Sequence, residues 1–142
     1  MPSVTPADVL AQRRHLTLSG DADGLADLFA PDAVIEFSFH GPPGTPVRLE
    51  GREAIREYSR RVVASPLHLE EYEVAEFYQT QDPEVVIVEM RTKATLTTTG
   101  RSITAASIQV LRIQEGRIVL FRDFADPRIL EDVTGQPAGQ LP

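Results

Sequence analysis

Arg122 and Asp123 stand inside the apolar run Val119-Leu120-Phe121-Arg122-Asp123-Phe124, which otherwise reads as a buried strand. An ionised carboxylate in such surroundings requires a partner or a chemical task. The run is the returning arm of a hairpin, since Arg101 to Ile113 leads into Gln114-Glu115-Gly116 and the chain comes back from Arg117. With a three-residue loop and Gly116 left-handed, Ile113 is expected opposite Arg117, and Ser107 opposite Asp123. Alternation then gathers Ala105, Ser107, Gln109, Val119, Phe121 and Asp123 on one face. Arg122 turns to the other face, as a surface or dimer-interface residue. An apolar surface with three convergent polar groups is how a small-molecule pocket reads in sequence.

Apolar neighbours raise a carboxyl pKa, which makes Asp123 the candidate acid/base; the alternative is a structural carboxylate bound by Ser107 or a backbone amide. Gln109 has an amide that can donate to a carbonyl or developing enolate, or can serve structure alone. His40 stands where a strand enters a proline-glycine loop, near the expected cavity mouth. There it either exchanges protons with a substrate or is an exposed loop histidine. Ser107 has no histidine at readable spacing and is not read as a nucleophile. His15 and His68 are read as structural or solvated, and Tyr58, Tyr72 and Tyr78 as core or strand residues. No histidine or carboxylate spacing suggests a metal site. Phe37, Phe39, Met90 and Phe121 are assigned to the pocket wall, a lining suited to a flat or greasy organic molecule.

The elements that must position these groups are readable from their punctuation. Thr5-Pro6-Ala7-Asp8 starts a helix that Gly20 stops, and Asp21 caps a short second one ended by Pro31. Asp32 to Phe39 is a strand with Ala33, Ile35, Phe37 and Phe39 on one side. His40-Gly41-Pro42-Pro43-Gly44-Thr45-Pro46 is a stiff loop. Gly51 to Val63 is a third helix burying Ile55, Tyr58 and Val62. Four strands follow, about Leu67 to Tyr78, Glu84 to Leu96, Ser102 to Ile113 and Arg117 to Ala125, and their short connections make an antiparallel meander. Within Glu84 to Leu96 the even positions are mostly apolar, so one sheet face is dry. Asp126-Pro127 starts a helical turn through Leu130 and Val133, and 135–142 is expected to fray. The expected class is α+β: a curved antiparallel or mixed sheet with three helices in the N-terminal half, enclosing a cone-shaped cavity.

Composition narrows the function classes. The 142 residues, 42% hydrophobic, suit one domain over 1–142. A net charge of −7 argues against nucleic acid. Arg52, Arg56, Arg60 and Arg61 alternate with Glu53 and Glu57 and read as a solvated helix face. The absence of cysteine excludes disulfides, thiolate metal sites and a cysteine nucleophile. No apolar stretch approaches a membrane span and no signal peptide is visible, so a soluble, cytoplasmic protein is expected.

The order of elements, with Gly20-Asp21-Ala22-Asp23-Gly24-Leu25, Leu28-Phe29-Ala30-Pro31-Asp32-Ala33-Val34, Leu49-Glu50-Gly51-Arg52-Glu53-Ala54-Ile55 and Glu115-Gly116-Arg117-Ile118, resembles the nuclear transport factor 2-like superfamily. More narrowly it is similar to the SnoaL-like polyketide cyclase and ketosteroid isomerase branch, over nearly the whole chain. The segment from Thr99 to Phe124 also resembles limonene-type epoxide hydrolases, whose water-activating aspartate falls on Asp123. That family's arginine and second aspartate fall on Met90 and Thr92, and its water-holding tyrosine and asparagine on Ile35 and Phe37. For the steroid isomerases, the base aspartate falls on Phe37, the oxyanion-hole tyrosine on Arg13 and the protonated aspartate on Gln109. The resemblance implies a homodimer and cofactor-independent isomerase, cyclase or hydratase chemistry on an apolar small molecule. Asp123, Gln109 and His40 are the catalytic candidates. Ile35, Phe37, Phe39, Met90, Thr92, Ser107 and Phe121 are the substrate-binding ones. The alternatives are a non-catalytic binding or dimeric scaffold protein and an epoxide hydrolase with a rearranged site.

Overall fold

Thr5 begins the first helix, α1 (Pro6–Ser19), through a reciprocal cap: its hydroxyl accepts the Asp8 amide at 3.1 Å, and Asp8 Oδ2 accepts the Thr5 amide at 3.0 Å. Gly20 ends it in the left-handed region, at φ 71°. In this computed structural model, which describes residues 4–129, there follow α2 (Ala22–Asp27), β1 (Phe29–Phe37), β2 (Val47–Glu50), α3 (Arg52–Ala64), β3 (Leu67–Gln79), β4 (Val85–Leu96), β5 (Arg101–Gln114) and β6 (Arg117–Ala125). A helical turn starts at Pro127; Leu130, Val133 and the tail 135–142 lie outside the described residues. No helix among the described residues is long and apolar enough to cross a membrane.

The six strands form one mixed sheet in the order β2-β1-β6-β5-β4-β3, with β1 and β6 parallel and every other pair antiparallel. The α+β class and the C-terminal meander are as expected. Two interruptions in the pairing of β3 with β4, near Glu71 and Glu76, are bulges of the kind that bend a sheet. The helices cover one face: α1 lies against β3, α3 against β1, and α2 against α3. Arg56 of α3 ties the last two together by reaching Asp23 at 3.2 Å and Asp27 at 2.7 Å. The dry face of β4 supplies Val86, Val88 and Met90 to the core, where they meet Val9, Leu10, Ile55, Leu111 and Ile118.

Three expectations need correction. First, β1 begins at Phe29 rather than Asp32 and ends at Phe37 rather than Phe39. The early start accommodates Pro31 because the β1–β6 register shifts between Phe29 and Val34, where a missing N–H breaks no ladder. Second, β2 is an additional edge strand. Its four residues are too short to show a period, and its pairing with β1 exists only in the folded chain.

Third, the hairpin register differs by two residues. Glu115 (φ 51°) and Gly116 (φ 77°) both take left-handed conformations, making a two-residue turn whose twist suits the flanking strands, so Gln114 pairs with Arg117. A bulge then leaves Val119 as an extra residue between the Ile113–Ile118 and Arg112–Leu120 pairs. It exists because Ile118, fully buried, and Phe121, also buried, lie three residues apart and an unbroken strand cannot point both inward. Asp123 consequently stands opposite Gln109, while Ser107 stands opposite Ala125.

Candidate functional site

The inner face of the sheet carries a row that runs Phe37, Asp123, Gln109, Val88 and Phe77 across β1, β6, β5, β4 and β3. Above it the helices and sheet enclose a cavity of about 430 Å³, within the range that holds small organic ligands. Its walls are largely aliphatic and aromatic: Leu16 and Leu25 from α1 and α2, Ile35 and Phe37 from β1, and Ile55 and Val62 from α3. Phe121, Tyr58, Tyr72, His68, Arg13 and Asp123 complete the parts that matter for chemistry.

Asp123 is partly buried, and its Oδ1 is enclosed without a hydrogen-bond partner. Burial pushes its carboxyl up to about 6, while the Arg13 charge opposes that rise. The strand neighbours explain the enclosure. Phe37 stands beside it on one strand and Gln109 on the other, and its carbonyl is tied to the Ser38 amide at 3.0 Å. Arg122, one residue earlier, points to the outer face and bonds Glu36 at 3.1 Å.

Arg13, the position on which the steroid isomerases' oxyanion-hole tyrosine falls, was not among the candidates. It lies on the face of α1 that buries Val9 and Leu10, and only 2% of it is exposed. Its Nη2 donates to Gln109 Oε1 at 2.8 Å and touches Met90 Sδ at 3.7 Å. The guanidinium carbon lies 5.1 Å from the ring centre of Tyr72 and 5.2 Å from that of Phe121, within cation–π range. Its Nε and Nη1 have no hydrogen-bond partner. The visible signal was the spacing Val9, Arg13, Leu16, which puts the cation on an apolar helical stripe.

The other candidates divide by position. Gln109 is buried under Arg13, outside the cavity lining, with both ends of its amide engaged: Oε1 accepts from Arg13 and Nε2 donates to the Tyr72 hydroxyl at 3.1 Å. A direct donor to a ligand carbonyl therefore needs a different residue. Met90 is buried beneath Arg13, also outside the lining. Thr92, paired with Tyr72 and Ala105, and Ser107, half-buried in the middle of β5, likewise do not line the cavity. Phe39 lies beyond the end of β1, is 58% exposed and packs against Phe124 with ring centres 5.7 Å apart. His40 is buried rather than exposed; its ring meets Phe37 edge-on at 5.5 Å, on a residue that does line the cavity, while His40 itself does not. Ile35, Phe37 and Phe121 are walls. Burial raises the Tyr58 hydroxyl, and the nearby Asp123 charge raises it further, so Tyr58 remains a neutral phenol.

Among the described residues no cluster of three histidine or carboxylate groups is arranged to hold a metal ion. The arrangement can accept and return one proton at Asp123 and place one positive charge nearby, inside an apolar chamber.

Comparison with known proteins gives three findings. A family model of the SnoaL-like domain matches residues 12–121. A PhzA/B-like protein of Pseudomonas aeruginosa is 38% identical over 133 residues, covering 92% of each chain. Among solved structures, a Bacillus subtilis protein described as an isomerase candidate is 27% identical, with a TM-score of 0.82 over 95% of this chain and 94% of its own. The epoxide hydrolase/cyclase-like enzyme SalBIII of salinomycin pyran-ring formation shares the fold, with a TM-score of 0.69 and 24% identity over 87% of this chain and 92% of that one.

Proposed function

This chain belongs to the SnoaL-like domain family, and we propose that it is a cofactor-independent enzyme of that family which moves a proton on an apolar organic molecule, in an isomerisation or cyclisation. The observation that carries the reading is Asp123: a carboxyl raised to about 6, with an unpartnered oxygen, on the wall of an apolar chamber. Such a group is mostly ionised at neutral pH and so can take a proton from a carbon or hydroxyl. Its conjugate acid is strong enough to give the proton back at another atom. Phe37, Phe121 and the aliphatic walls exclude water and hold a greasy substrate over it. Gln109 supports the site indirectly, by holding Arg13 and Tyr72.

The epoxide-hydrolase alternative lacks its water-holding pair, because Ile35 and Phe37 offer only carbon at those two positions. The test is deuterium wash-in at the α-carbons of a cyclic ketone such as 2-tetralone, followed by proton NMR in D2O. Wild type is expected to exceed the buffer rate, and Asp123→Asn to lose roughly 10²–10⁴-fold of that excess while keeping its fold. Equal exchange by the two proteins would remove Asp123 from the mechanism, and ligand binding with no exchange by either would make the protein a binding module.

A homodimer belongs to the same proposal. On the outer sheet face the Tyr78–Ile87–Val110 row and the neighbouring Ile108–Phe124 pair form an apolar patch bordered by Glu89 and Arg122, with Ile108 48% exposed. Two copies pairing there would cover it.

A further inference from the structure

We propose that Arg13 is an anion seat, and that the cavity's natural ligands are apolar acids whose carboxylate binds this guanidinium while the hydrocarbon body fills the chamber. The proposal rests on the cavity being a ligand site, and does not require Asp123 to transfer protons.

A guanidinium has five N–H bonds. Here only Nη2 finds acceptors, the neutral Gln109 oxygen and the Met90 sulfur, while Nε and Nη1 have none. The group is 2% exposed, so bulk water does not satisfy these donors, and the side on which Arg13 borders the cavity is where a ligand can approach it. A buried cation left this way is costly, and the opposing charge coupled to it, Asp123, makes no hydrogen bond to Nε or Nη1, so these donors remain for an anionic ligand. The two rings beside it, Tyr72 and Phe121, are both cavity walls and hold it without satisfying its N–H groups. Gln109 fixes the guanidinium from beneath and is itself fixed by the Tyr72 hydroxyl. The cation is thus pre-oriented at the edge of a mostly apolar chamber. That combination suits a molecule with one anionic head and an apolar body, and it disfavours a neutral hydrocarbon or a sugar. An arginine serves a carboxylate better than a lysine here, since its planar donors match the two oxygens.

The probes are 2-naphthoate and 2-naphthamide, which share a body and differ in the charge of the head. Calorimetric titration of the wild-type protein at pH 7.5 is expected to give naphthoate a dissociation constant at least tenfold below that of naphthamide. Arg13→Met should abolish the preference while leaving naphthamide within about threefold of wild type, and Arg13→Lys should restore part of it. Equal affinities, undetectable naphthoate binding at millimolar concentration, or a preference that survives Arg13→Met would overturn the proposal. Should the Met variant fail to fold, the Nε–H resonance of Arg13 in 15N-labelled wild type decides: it should move with naphthoate and not with naphthamide. A resonance unmoved at saturating naphthoate overturns the seat. The two readings of the site fail separately. Loss of exchange in Asp123→Asn without carboxylate preference removes the anion seat alone, and carboxylate preference with unchanged exchange removes the acid/base reading alone.

Discussion

Asp123 and Gln109 face one another on adjacent strands, and each answers to Arg13: the carboxyl through its charge, the amide through a 2.8 Å hydrogen bond. The folded-state carboxyl pKa of about 6 lies above its ordinary 3.8. The folded protein therefore holds this proton more tightly. The resulting stability is fully present below about pH 4 and is lost as the pH rises through about 6. Asp123→Asn carries no such loss. Its stability relative to wild type should be greater at pH 8 than at pH 4, by on the order of 1–3 kcal/mol once partial solvent screening is allowed for. Urea unfolding at the two pH values measures it, and equal differences would mean that the carboxyl is not strained. In the exchange assay, the rate of wild type should rise with pH through an apparent pKa near 6, as Asp123 ionises. Arg13→Met should move that limb upward, because the charge that restrains Asp123 is gone; Asp21, Tyr58, His68 and Tyr72 line the same cavity and remain. A limb that stays in place would disconnect the two groups. The direction in which Asp123 and Arg122 point was legible from alternation alone. The partner of Asp123 was not, since alternation assigns a face and says nothing about who stands across the ladder.

Val119 decides that partner. The bulge lets Ile118 and Phe121 both enter the core, and in doing so it brings Asp123 level with Gln109. Deleting Val119 forces a choice between them: either Ile118 turns outward, or Phe121 and Asp123 do. Exposing one large apolar side chain costs about 2–3 kcal/mol. Urea unfolding should show a loss of at least that size, and an unchanged midpoint would mean that the extra residue is absorbed in the turn. The capping groups of α1 and α2, the stop at Gly20 and the dry face of β4 could all be read along the chain, because each depends on near neighbours. β2 could not, being four residues that acquire meaning only beside β1. Arg13 escaped for a similar reason. A cation on an apolar helical stripe reads as an irregularity until the helix is laid against Tyr72 and Phe121.

Across the whole molecule the two sheet faces have separate tasks. The inner one, under the helices, makes the cavity, and the outer one carries the apolar patch around Ile108 with the Glu36–Arg122 pair at its side. If two copies pair there, sedimentation at micromolar concentration should report a dimer and Ile108→Glu should give a folded monomer; a wild-type monomer would exclude the pairing. The placement of Arg13 has a different consequence. The carboxyl sits on the sheet, while the cation arrives on α1, a segment bounded by the Thr5 cap and the Gly20 stop that meets the rest largely along β3. The two charges of the site are therefore inherited on separable pieces of chain. Recombination at Gly20 could exchange the group that meets a ligand's polar head and leave the proton-transferring group untouched, so descendants of this fold can change what they hold without rebuilding what they do to it.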